Sequence, residues 1–167
     1  MQIALTPHGD REQLAIVRSD GSQSAFSIAR KGVVSHDLVH FCVESVLGMK
    51  RGFWGCVAAG EDPAAIQERA KAGGHASAKR ATTPDAALVE LLQAERLVEC
   101  FEAESWCRTI DDEGLLAMAR AGWDASHVPP FALDPAQLAA IRARLSELGS
   151  RWKQLERGQS LELMWEE

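Results

Sequence analysis

The chain alternates apolar and polar residues at both of its ends and carries helical spacing between them, which limits the folds open to it. Ile3 and Leu5 alternate with Ala4 and Thr6; Leu14 and Ile16 follow, then the run A-F-S-I around Phe26 and Ile28. S-D-G-S, Ser19 to Ser22, separates the last two runs. Asp-Gly between apolar runs predicts a hairpin, because the turn requires positive φ. At the other end, Leu161, Leu163 and Trp165 lie on one side and Glu162 and Glu166 on the other, the period of a strand. Strands at both termini with helices between predict an α+β domain. Its antiparallel sheet is built from the N-terminal hairpin strands plus the C-terminal strand and packs against about five helices. With 167 residues there is enough chain for one sizeable core and too little for two comfortable ones, so 1–167 reads as a single domain.

The helix signals are local. Ser35 is a good N-cap and Asp37 sits where the helix dipole favours an acid, predicting a helix to Leu47 stopped by Gly48. Arg51 to Gly60, R-G-F-W-G-C-V-A-A-G, is punctuated by glycine and reads as an aromatic loop. Asp62-Pro63 opens a second helix that ends near Gly73-Gly74, and residues 73–83 are small, polar and basic, a mobile loop. Thr83-Pro84-Asp85 opens a long helix reaching about Cys107, and a short one is expected from Asp112 to Ala121. From Asp134-Pro135 toward Gly158, Leu138, Ile141, Leu145, Leu148, Trp152 and Leu155 form a narrow apolar seam. Packing on the sheet is its first reading, and a homodimer contact its second.

A net charge of −6 repels phosphate backbones, so nucleic acid is not an expected partner. No apolar run approaches the ~20 residues of a membrane span, and the opening M-Q-I-A-L-T-P-H-G-D lacks the pattern of a signal peptide. Cys42, Cys56, Cys100 and Cys107 show no C-x-x-C spacing and read as reduced thiols. The expectation is a cytoplasmic protein.

The one stretch with chemistry in its spacing is S-H-D-L-V-H-F-C-V-E, Ser35 to Glu44. His36, His40 and Glu44 fall within about 80° of one another on a helix, at one edge of its apolar arc. Imidazoles there are partly desolvated and need a carboxylate, a carbonyl or a metal. Histidines at i, i+4 meet above one turn and suit a divalent ion such as zinc. His36, His40 and Glu44 are the candidate ligands, yet not all on one ion: His36 and Glu44 lie about 12 Å apart along the axis. Further ligands would come from His75, from His127 or from an acid on the long helix. Glu95, Glu99 and Glu102 share a face there, read otherwise as a solvated acidic face with Arg96 nearby. Asp37, Phe53 and Trp54 are candidate pocket residues, the two aromatics serving alternatively as core.

H-D-L-V-H is similar to the H-E-x-x-H of zinc peptidases, with a shorter acid in place of the base. It is also similar to the H-D-x-x-H of a ubiquinone-biosynthesis family, whose downstream zinc glutamate corresponds here to Gly52. Neither activity carries over. H-D-L-V-H-F-C-V-E, the following G-F-W-G and the terminal S-L-E-L-M-W together resemble a set of bacterial hypothetical proteins of no established activity. That resemblance implies a shared domain and adds no chemistry.

Two functional readings follow. One is a divalent-metal or small-ligand site at the His36/His40 edge, walled by Phe53 and Trp54, whose chemistry would be metal-assisted hydrolysis. The other is a non-catalytic protein-interaction or homodimerisation module without a metal. The sequence identifies no substrate and no reaction.

Overall fold

The computed structural model describes residues 1–30, 32, 34–73, 83–107 and 111–166. Strands β1 (Gln2–His8), β2 (Arg11–Val17), β3 (Gln23–Ala29) and β4 (Leu161–Met164) form one antiparallel sheet in the order β3-β2-β1-β4. The α+β architecture expected from the alternation is therefore present, with the C-terminal strand beside the first. Ile3 pairs with Leu163 and Leu5 with Leu161, and Met1 and Trp165 exchange backbone hydrogen bonds beyond the strand ends.

Both tight connections use glycine at positive φ. Gly21 has φ 81° in the S-D-G-S turn, where the Ser22 amide donates to Asp20 Oδ1 at 2.8 Å. Gly9, φ 63°, opens the two-residue loop between His8 and Arg11, a position where hairpins favour glycine.

Six α-helices follow among the described residues: α1 (His36–Leu47), α2 (Phe53–Ala58), α3 (Pro63–Ala72), α4 (Val89–Trp106), α5 (Asp112–Ala125) and α6 (Pro135–Lys153). The predicted caps are in place. Ser35 accepts from the Leu38 amide, Gly48 ends α1 in the left-handed conformation, and Asp62 caps α3. Asp134 forms a reciprocal capping box with Gln137. Three boundaries differ from the sequence expectation. Asp85 caps a 3₁₀ turn over 86–88, so α4 starts at Val89. α5 runs on to Ala125, and α6 ends at Lys153. The expected aromatic loop is instead the short helix α2. Residues 74–82, including His75 and most of the expected mobile loop, lie outside the described residues.

Helix α1 is the centre of the molecule, buried on two sides. Leu38, Phe41 and Cys42 join the sheet residues Ile3, Leu5, Leu14 and Ile16 in one core that also takes in Trp54, Leu148 and Trp152. Val39 and Val43 join Leu97, Val98, Leu115 and Trp123 in a second core against α4 and α5. α6 serves both cores, since Leu138 and Ile141 lie in the second. No helix of the described residues is long and apolar enough to cross a membrane.

Leu148 and Trp152 are buried within the chain itself, at 4% and 2% exposure. Leu148→Ala is therefore expected to lower unfolding free energy by about 2–5 kcal/mol, the range for deleting a buried leucine. Urea denaturation followed at two protein concentrations checks this. A loss that vanished at high concentration would place Leu148 in a contact between chains.

Candidate metal centre

One turn of α1 separates His36 from His40, and their rings meet edge to face with centroids 4.8 Å apart. Each ring has its Nδ1 on a carboxylate of its own. His36 Nδ1 lies 2.8 Å from Glu102 Oε1 on α4, and His40 Nδ1 lies 2.8 Å from Glu44 Oε1 one turn further along α1. A carboxylate only accepts, so each Nδ1 carries the proton and donates it. Both Nε2 atoms then turn toward Glu95 of α4, at 3.9 Å for His36 and 3.4 Å for His40, measured to Oε2. His36, His40 and Glu95 each offer one ligand atom, all within 4.8 Å of one another.

Glu44 does not share that focus. Its Oε1 accepts from the Phe53 amide at 2.9 Å and its Oε2 from the Trp54 amide at 2.8 Å. The acid thus caps α2 from outside and holds His40 at the same time. It is fully buried and occupied by three donors, while the ligand atoms that come together are those of His36, His40 and Glu95. This also explains G-F-W-G. A Cβ on Gly52 would stand 2.5 Å from the Glu44 carboxylate carbon, and one on Gly55 would overlap the Lys50 carbonyl. The segment reads as a loop because its cap comes from an earlier helix.

The expected pocket residues part company. Asp37 and Phe53 line a cavity of about 130 Å³ together with His36, His40, Glu95 and the α3 residues Gln67, Ala70 and Lys71. The Phe53 ring packs 5.8 Å from the His40 ring. Trp54 belongs to the core: it is fully buried, and its Nε1 donates to the Asp37 carbonyl at 2.9 Å. Asp37 is itself only 3% exposed, and its Oδ2 has no hydrogen-bond partner among the described residues.

Two acids gain weight that the sequence reading did not give them. Glu95 was one member of an acidic face expected to be solvated, yet it is 7% exposed and faces the histidines. Its signal is its phase: Leu91, Leu92 and Val98 lie four before, three before and three after it, and all are buried. Glu12 was not singled out at all. It lies on β2 in phase with Leu14 and Ile16, fully buried near Ser35, Asp37 and His36. His127, at φ 54°, is exposed and outside the cluster.

Electrostatics match the crowding. Burial raises the pKa of Glu12, Asp37 and Glu44 above the ordinary carboxylate range. Burial alone would lower His40, but Glu95 and the hydrogen bond to Glu44 outweigh it and hold the imidazole well above its usual value. The centre therefore keeps protons where carboxylates outnumber cations. The Cys56 thiol is pushed up to about 11 by burial and is inert as a thiol near neutral pH. No family model, curated protein or solved structure matches this chain.

Gly52→Ala is expected to force the Glu44 carboxylate off the α2 amides and to cost about 1–3 kcal/mol, the usual range for overpacking. Chemical denaturation measures it. An unchanged midpoint would mean that the carboxylate has room to move.

Proposed function

We propose that this protein binds one divalent transition-metal ion through His36 Nε2, His40 Nε2 and a carboxylate oxygen of Glu95. The observation that carries the reading is the orientation of the two imidazoles. Each has its Nδ1–H held by a separate carboxylate and its Nε2 directed at a third. That is the outer-sphere arrangement which orients histidine ligands and raises their basicity. Metal–ligand bonds of ~2.0–2.2 Å place tetrahedral ligand atoms about 3.3 Å apart. The distances to Glu95 of 3.4 and 3.9 Å lie near that spacing, and the three ligand atoms, within 4.8 Å of one another, would draw together to reach it. Two nitrogens and one oxygen suit zinc, and three protein ligands leave a fourth position for water or substrate.

An ion so held supplies Lewis acidity and an activated water, the chemistry of metal-assisted hydrolysis. Asp37 and Phe53 line the small cavity on which the open position faces. The bacterial hypothetical proteins that share the H-D-L-x-H-x-x-x-E helix and G-F-W-G would share the histidine pair and the cradle of Glu44, because those segments build both, while the third ligand, Glu95, lies outside them.

Elemental analysis of the full chain after zinc loading and gel filtration is expected to give one ion per chain. His40→Ala, and the milder Glu95→Gln, are each expected to weaken zinc more than about 100-fold. A chain that retains no ion, or variants that retain it fully, would sink the reading.

The protonation pattern adds a second test. His40 has a raised pKa in the fold, so its contribution to stability is complete below about 6.5 and is lost as pH rises through the folded value. Glu12, Asp37 and Glu44 are also raised, so they too bind more protons folded than unfolded and act with the same sign. With chelator present, the protein is expected to melt at lower temperature at pH 8 than at pH 6. Excess zinc replaces the retained proton, so the stabilisation by zinc grows with pH. Thermal unfolding with and without zinc at the two pH values checks both signs.

A further inference from the structure

The cavity at the His36/His40/Glu95 centre also limits what can occupy the open position. At about 130 Å³ it has room for an ion and a compact polar group, several times the ~10–15 Å³ that one water needs on this measure.

Two lining residues then set the chemistry. Among the described residues that line it, Lys71 is the one cation apart from a protonated imidazole. Among the described residues its ion pair is with Glu68 of the same helix, at 2.8 Å, and both side chains are more than half exposed. Such a pair is weak and exchanges readily with solvent or ligand. Asp37 supplies the opposite requirement. It is nine-tenths buried, it lines the cavity, and its Oδ2 accepts no hydrogen bond among the described residues. A buried acceptor without a donor is rare and costly, and an unfilled ligand or water position is a standard reason for one. A fitting molecule therefore carries negative charge for the ion and Lys71, and a donor close beside that charge for Asp37.

We propose, resting on the metal reading above, that this centre binds a short α-hydroxy or α-amino carboxylate. The carboxylate takes the open metal position on the side of Lys71. The neighbouring hydroxyl or ammonium group donates to Asp37 Oδ2. Gln67, also in the cavity wall, adds an amide that serves either end. The Phe53 ring closes the apolar side and excludes longer substituents.

The test uses the full chain loaded with cobalt(II) at saturation and titrated with glycolate, glycine, acetate and acetamide, followed by visible absorption. Glycolate and glycine are the two arms that separate the hydroxyl from the amino source. One or both are expected to shift the cobalt bands and to bind about tenfold tighter than acetate, the effect of one added hydrogen bond to a charged group. Acetamide, without the charge, is expected to leave the bands unmoved. Lys71→Met, an exposed substitution on α3, is expected to weaken glycolate and acetate alike by about tenfold. Asp37→Asn is expected to erase the preference over acetate. If cobalt binds but neither glycolate nor glycine outcompetes acetate, or Lys71→Met leaves both affinities intact, this proposal is overturned and the metal reading stands. If the chain takes up no cobalt, both fall together.

Discussion

A carboxylate can be sealed inside a protein only if donors replace the water it leaves behind, and Glu44 is where this fold meets that demand. Three donors converge on it: the His40 ring and the amides of Phe53 and Trp54. The same three contacts lock α2 against α1, start a helix that has no side-chain cap of its own, and fix which nitrogen of His40 faces Glu95. Gly52 is required because the carboxylate occupies the space of a side chain there. Local structure, packing and ligand orientation thus depend on one buried acid.

The fold serves that arrangement by burying α1 on two sides. One core ties it to the sheet through Leu38, Phe41 and Cys42, and another ties it to α4 through Val39 and Val43. Between those contacts α1 and α4 are held close enough for Glu95 and Glu102 to reach the histidines. The two imidazoles are not equivalent. His40 is 2% exposed and held by a fully buried acid, whereas His36 is 28% exposed and held by Glu102 at 33%. The inner imidazole is enclosed, and the outer one is partly open to solvent.

Much of this was legible in the sequence where the signal and its cause lie within a few residues. Ser35, Gly48, Asp62 and Asp134 mark helix ends because capping is local. The Asp20-Gly21 turn and the alternating termini specify the sheet for the same reason. The histidine pair was legible too, as was the axial separation that sets Glu44 apart from His36. What could not be read depends on partners distant in the chain. α2 is capped from ten residues upstream, so its glycines look like a loop. Glu95 looks like one charge on a solvated face until α1 is laid against it. Glu12 breaks the apolar phase of Leu14 and Ile16, which is a local signal, but its neighbours come from α1 and from Arg30.

Acids that break an apolar phase are expensive, and this centre gathers several. Glu44 is fully satisfied, and Glu102 is partly solvated and bound to His36. Glu12 and Asp37 are the ones with carboxylate oxygens that lack a hydrogen-bond partner among the described residues, and burial drives both toward the protonated form. Replacing such groups by apolar residues of similar volume is often neutral or stabilising, so packing is a poor reason to keep them. Local rules are broken in this way at sites that work, and the cost is carried by the rest of the fold. Under the proposed metal reading, a divalent ion would supply the positive charge that offsets this cluster of acids around two oriented imidazoles.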